Sequence, residues 1–319
     1  MRFLPLLLFV SLTSGESKPD GDALRQQIGQ TLHVPDPLPN LAEKSYGKFN
    51  PAKDVAADRV SFATGYAVRV PAIVYHQAGA TISRHPALII VNGHGGDKSS
   101  WYAYSAGILY ARAGGVVLTY DPIGEFERNW QQRSGTHQPD TPLEPPDLSR
   151  RLAGLMITDI LQSVRYLAQR SDVDPKNIAL VGYEMDSLIS SFACGIETSI
   201  HACALASDRG TVIYASNAKR GPTLIYNQPL LAGGDQPYFL TKPVALWLLE
   251  KLKFPNWTRK QLQSMPESPA PGGKLEVLGS DIPAVPRADL RAIPDAVWTA
   301  DQDSYVYESW RDRAKAVLK

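Results

Sequence analysis

The stretch "NIALVGYEMDSLISS" (177–191) holds the residues whose types and spacing most directly suggest chemistry. An apolar run, Ile178 to Val181, meets Gly182, and two carboxylates follow at Glu184 and Asp186. A carboxylate at the exposed point of a tight turn can attack an acyl carbon or serve as a general base toward water. Two carboxylates this close disfavour joint ionisation unless a cation or partner lies beside them. Ser187, Ser190 and Ser191 read as ordinary helix residues beyond the turn. Such chemistry also needs a proton carrier, and the histidines stand at 33, 76, 85, 94, 137 and 201. His137 is a candidate migrated base, on a polar loop with no evident anchor. His201 precedes the apolar "ACALASD" and so falls at the far end of a strand from the turn. Asp208 ends that strand on the same side as Glu184.

These residues need elements to position them. "PALIIVNGHGG" (86–96) is a near-continuous apolar run ending in glycines, as a buried parallel strand requires. "SSWYAYSAGILYARAGG" reads as a helix opened by serines and closed by Gly114-Gly115. "GVVLTYDPIG" (115–124) is a second buried strand, and 148–170 is an amphipathic helix with Leu152, Met156, Ile160, Val164 and Leu167 on one face. "IALVGYE", "MDSLISSFACGIE" and "ACALASD" continue the alternation as strand, helix and strand. The pattern predicts an α/β fold, a mostly parallel central sheet with helices on both faces. Before it, "RVSFATGYAVRVPAIVYHQ" (59–77) predicts a hairpin around Gly65, and residues 16–56 read as an irregular N-terminal arm. Beyond 209, prolines crowd the chain and the alternation fades. There, 242–254 suggests a strand running into a helix, and "YVYESWRDRAKAVLK" a closing helix.

Three segments in order, "NGHGGDK" (92–98), "YDPIGEFERN" (120–129) and "SDVDPKNIALVGYEMDS" (171–187), resemble the α/β-hydrolase superfamily, in particular its dienelactone hydrolase and acetyl xylan esterase-like branch. The resemblance spans roughly residues 85–208 and implies an α/β-hydrolase-like domain over 57–319 with a divergent C-terminal third. It implies that Gly182 opens a nucleophile elbow, G-x-S-x-G, in which small residues flank the nucleophile because the turn is crowded. Here Glu184 stands in the serine position and Asp186 in the second small position. The backbone of His94 and Gly95, with the amide of Met185, would supply the oxyanion donors. Asp121, Glu127 and Arg128 fall in a turn that resembles the family's "YDPIGQGER", where they would form a structural ion-pair network; Glu125-Phe126 departs from its Gln-Gly. Asp208 stands where some members of the family carry the triad acid and is a possible acid position, but the family's triad histidine comes late in the chain, and no histidine follows 201. The resemblance therefore implies an esterase homologue without serine-esterase catalysis. The alternative is an active hydrolase on an ester or acetylated carbohydrate, rearranged around Glu184.

The rest of the sequence bounds these readings. Over 319 residues the net charge is +1, which gives no electrostatic footprint for nucleic acid. No apolar stretch past the first dozen residues is long enough to span a membrane. Met1-Arg2, the apolar Phe3–Leu12 and the small residues Thr13-Ser14-Gly15 read as a signal peptide over 1–15, hence a secreted or periplasmic protein. Cys194 and Cys203 could pair or remain buried thiols. No Cys/His spacing suits a metal, and no motif implies a cofactor. The expected partner is a small ester or carbohydrate ligand; nothing fixes the oligomeric state. Asn256-Trp257-Thr258 is a glycosylation sequon.

Overall fold

The structure is a computed structural model that describes residues 21–79, 83–92, 95–129, 131, 133–138, 142–183, 185–206, 223–226, 240–269, 276–279, 281–293 and 307–318. Its centre is a run of parallel strands: β4 (His85–Val91), β5 (Val116–Tyr120), β6 (Val173–Tyr183), β7 (Ile200–Ala206) and β8 (Thr223–Tyr226). Parallel pairing needs long crossovers, and helices supply them. Helix α2 (Trp101–Arg112) joins β4 to β5, α3 (Pro146–Gln169) joins β5 to β6, and α4 (Met185–Ile196) joins β6 to β7. Leu88, Ile89, Ile90, Ala179, Leu180 and Val181 are all fully buried, because helices cover both faces. One face packs on α3 and α4 through Ile157, Leu161 and Ile189. The other packs on α2 and on α5 (Lys242–Leu252) through Ala106, Leu109, Val244 and Leu248.

Antiparallel strands extend the sheet past β5. The hairpin predicted around Gly65 is present as β2 (Val55–Ala63) and β3 (Arg69–Gln77), and β3 pairs with β5. With β1 (Lys44–Ala52) at its edge, the main sheet reads β1-β2-β3-β5-β4-β6-β7-β8 among the described residues.

The sequence reading of 16–56 as irregular needs correction. Residues Gly21–Thr31 form helix α1, and Lys44–Ala52 form β1, the edge strand paired with β2. Strand β2 also starts at Val55, so the sheet begins before residue 57. The arm is built in by specific contacts. Ile28 and Leu32 are buried in the core, Gln162 donates to the carbonyls of Pro39 (3.0 Å) and Ala63 (2.8 Å), and Arg165 donates to Pro39 (2.8 Å). Residues 242–252 are helical throughout rather than a strand running into a helix; Pro243 sits in the first turn, where its missing N–H costs nothing. The closing helix is α7 (Tyr307–Val317), after the short α6 (Arg259–Ser264). The sequon's side chains are engaged: Asn256 Nδ2 donates to Gln77 Oε1 and to the Arg112 carbonyl, both at 3.0 Å, and Thr258 caps α6. No helix among the described residues is long and apolar enough to cross a membrane. Residues 1–20 lie outside the described residues.

The two cysteines, left open by the sequence, form a disulfide between α4 and β7, at a sequence separation of 9. Closing so short a loop removes unfolded-state entropy worth about 2–3 kcal/mol. The double variant Cys194→Ala/Cys203→Ala is expected to lose about that much in denaturant unfolding. At Gly154 of α3, an added Cβ would strike the Leu32 carbonyl, whose carbon lies 2.9 Å from that position. Helix propensity alone would make Gly154→Ala stabilising by about 1 kcal/mol. The close approach of the arm instead predicts a loss of about 1–3 kcal/mol, measurable by thermal or urea melts.

Candidate functional site

The strand order reverses beside β4: the chain moves from β4 to β5 on one side, then returns past β4 to β6 on the other. In such sheets the helices leave a crevice at the carboxyl ends of the strands flanking the reversal, and ligands bind there. Val91 of β4 pairs with Gly182 of β6, so both strands end at the same level. The carboxyl ends of β4 and β6 therefore share one edge.

The β6–α4 turn is crowded. A Cβ on Gly182 would lie 2.8 Å from Ser190 Cβ and 2.9 Å from the Asp186 carbonyl oxygen. Glycine is needed there by this close approach. Helix α4 starts directly at Met185. Asp186 is buried, as are Ser187, Ser190 and Ser191, and the Ser191 hydroxyl donates to the Leu188 carbonyl at 2.7 Å. These serines are helix residues packed inward, as their sequence context implies. Glu184, Asp208 and His94 lie outside the described residues. His201 is the second residue of β7, at the opposite edge of the parallel sheet from this turn.

His137, by contrast, lies at the carboxyl edge. Gly95, in the loop after β4, has a φ of +69°; a Cβ built on it would meet His137 Cε1 at 2.6 Å and Nδ1 at 3.0 Å. The imidazole is thus laid directly on Gly95. The loop that carries it, expected to be unanchored, is held on several sides. Gly135 N–H donates to the Gly95 carbonyl (2.9 Å), and Phe126 N–H donates to the Arg133 carbonyl (2.7 Å). The Ser134 hydroxyl donates to Asp97, and Arg287 donates to Ser134 at 2.5 Å. Glu125 accepts from Thr136 N–H, from the Thr136 hydroxyl and from His137 N–H at 3.2, 2.9 and 3.1 Å. Burial pushes the Glu125 carboxyl up, against these hydrogen bonds.

Beneath this rim lies a buried charge network. Lys98, fully buried, donates to Asp121 and lies 2.6 Å from Glu127. Glu127 in turn accepts from Ala292 N–H (2.8 Å) and Ile293 N–H (3.0 Å). Arg128 donates to Asp159 of α3 at 2.5 Å and to the Asp121 carbonyl at 3.1 Å. Asp121, Glu127 and Arg128 therefore meet two partners that the sequence reading did not single out, Lys98 and Asp159. A signal existed for Asp159, an acid set between the buried Ile157 and Ile160. Burial pushes the Asp121 carboxyl up to about 7, and Lys98 opposes the rise with one ammonium shared between two acids. The same two acids outweigh burial at Lys98 and hold its ammonium above the ordinary lysine value. Among the described residues no group of His, Cys, Asp and Glu is arranged to hold a metal ion.

This combination of a parallel sheet, a glycine-tight strand-to-helix turn and a glycine-rich loop beside it defines the α/β-hydrolase fold. The chain's structure is similar to the acetyl xylan esterase from Paenibacillus sp. R4, with a TM-score of 0.54 at 12% identity over 74% of this chain and 96% of that one. It is also similar to methylesterase BT1017, with a TM-score of 0.58 at 15% identity over 93% of this chain and 75% of that one. No family model and no curated relative matches the sequence.

Removing Lys98 would leave two buried acids without their ammonium. Lys98→Met is expected to cost about 3–5 kcal/mol at neutral pH. Its stability should also fall as pH rises from about 4 through 7, because the folded chain then binds the Asp121 proton more tightly than the unfolded chain does. Urea melts across that range check both; a flat profile with little loss would place the ion pairs outside the stability of the fold.

Proposed function

We propose that this chain is an exported esterase homologue that binds a small ester or acetylated carbohydrate at the carboxyl edge of β4 and β6 without Ser-His-Asp catalysis. The observation that carries this reading is the elbow: β6, Gly182 and α4 frame position 184, where the sequence has glutamate instead of serine. Glutamate is a methylene longer than the aspartate that would fit such a turn. An error of about 1 Å in the attacking atom can cost roughly 100-fold in rate. The absence of any histidine after 201 supports the same reading, since the triad base of this fold comes late in the chain. The names of the similar structures, an acetyl xylan esterase and a methylesterase, support an ester as the ligand. Export is supported by the apolar leader of residues 1–15 and by the Cys194–Cys203 disulfide, since such bonds persist in oxidising compartments.

A second reading is favoured by one specific observation, the anchored His137 imidazole on Gly95. In that reading the chain hydrolyses its ester, with Glu184 as nucleophile or base and His137 assisting. Incubation of the full chain with p-nitrophenyl acetate and with acetylated xylo-oligosaccharides, alongside calorimetric titration of the same oligosaccharides, separates the two. Binding heat without acetate release is the expected result. Turnover that disappears in both Glu184→Gln and His137→Ala would sink the binding-only reading and establish the second.

A further inference from the structure

We infer that Glu125 is the positioning residue of His137, fixing its imidazole over Gly95 at the edge where the proposed ligand is met. The inference rests on that reading only for the location of the ligand. Glu125 as a residue is 1% exposed, and both of its carboxylate oxygens are used. Oε2 accepts Thr136 N–H at 3.2 Å, while Oε1 accepts the Thr136 hydroxyl at 2.9 Å and His137 N–H at 3.1 Å. These are charge-assisted bonds from two consecutive backbone amides to one buried anion, among the stronger polar contacts a loop can make.

The bonds hold a strained conformation. His137 has a φ of +53°, in the left-handed region that side chains other than glycine rarely adopt. A local cost of this kind persists where the surroundings over-determine it, and such residues cluster at binding and catalytic sites. The other side of the ring is set by Gly95, whose missing Cβ leaves the space that His137 Cε1 occupies at 2.6 Å. Neighbouring bonds tie the loop to three further places: Ser134 to Asp97, Gly135 to Gly95, and Gln138 Nε2 to Glu308 of α7 at 3.4 Å. The Glu125 bonds reach His137's own amide and that of the residue before it. An imidazole held this way meets a ligand in one orientation, so less conformational freedom is lost on binding. A histidine on a mobile polar loop would not have that property.

The test reads the imidazole directly and uses no ligand. The full chain is labelled with ring-¹³C histidine, and the His137 Cε1–H signal is assigned by its loss in His137→Gln. In Glu125→Ala this signal is expected to move to the position of a free imidazole, and modification of His137 by diethyl pyrocarbonate to speed up several-fold. The signals of His33, His76 and His85 should stay in place, reporting an intact fold. Glu125→Gln keeps one carbonyl oxygen for the two donors at Oε1 and should restore most of the wild-type position. A folded Glu125→Ala whose His137 signal and modification rate are unchanged overturns the inference. If that variant does not fold, hydrogen exchange of the wild-type chain decides. Slow exchange at the Thr136 and His137 amides supports the inference, and exchange at the rate of exposed amides overturns it. Because no ester enters these measurements, their failure leaves the ester-binding reading intact, and a failed binding titration leaves the positioning role intact.

Discussion

Burial of the Lys98 ammonium between Asp121 and Glu127 determines where four chain segments meet. Lys98 comes from the loop between β4 and α2, Asp121 follows β5, Glu127 lies in the 3-10 turn Phe126–Arg128, and Glu127 reaches residues 292 and 293 through their amides. Withdrawing three charges from water is costly unless the remaining donors and acceptors are matched. They are matched here: Asp121 also accepts the amides of Lys98 and Glu127, both at 3.2 Å, and Glu127 uses both oxygens on the 292–293 backbone. The arrangement leaves the loop after β4 and the turn after β5 one relative placement, and Gly95 lies within that loop.

Phe126 carries this constraint outward. Its ring has Lys98 Nζ at 4.4 Å from the centroid and Arg287 Cζ at 4.0 Å, so one aromatic face system is read by a buried and a half-exposed cation. Its amide holds the Arg133 carbonyl, and the preceding Glu125 holds the next residues of the same loop. Arg287 closes the circuit by bonding Ser134 and lying 3.5 Å from Asp97. The rim is therefore held by polar anchors shared between loops distant in sequence, with Asp97, Glu125 and Glu127 buried and Arg287 half-exposed.

This explains what was legible in the sequence and what was not. Strands β4 to β7 are covered on both faces, so they read as unbroken apolar runs ending at glycine or aspartate. Helix α3 shows its core face at helical spacing. The α/β-hydrolase fold follows from these elements. Helix α1 was missed because "GDALRQQIGQT" offers little beyond Leu24 and Ile28 as an apolar face. Strand β1 was missed because an edge strand in water carries no apolar alternation. At the site, Gly182 and Gly95 were legible because close backbone approach demands glycine. Lys98 was not, since a lysine is expected at the surface until two acids from other segments are known to surround it. Glu125 and His137 are twelve residues apart, and no period in the sequence signals that one holds the other. The disulfide was undecidable for the same reason: spacing alone does not fix whether a helix and the next strand bring two thiols together.

Strand β1 has one more consequence. Among the described residues it ends the sheet with a row of backbone groups that no further strand covers, which is the kind of surface on which extended chains stack into aggregates. The sequence there is unsuited to such stacking. Lys44, Ser45 and Lys48 are exposed, two irregularities interrupt its register with β2, and Pro51 has no amide hydrogen to offer a neighbouring strand. Charge, broken register and a missing donor are three separate obstacles to a foreign strand. The segment least recognisable as a strand is thus the one that keeps a large, otherwise apolar sheet from growing by self-addition at that margin.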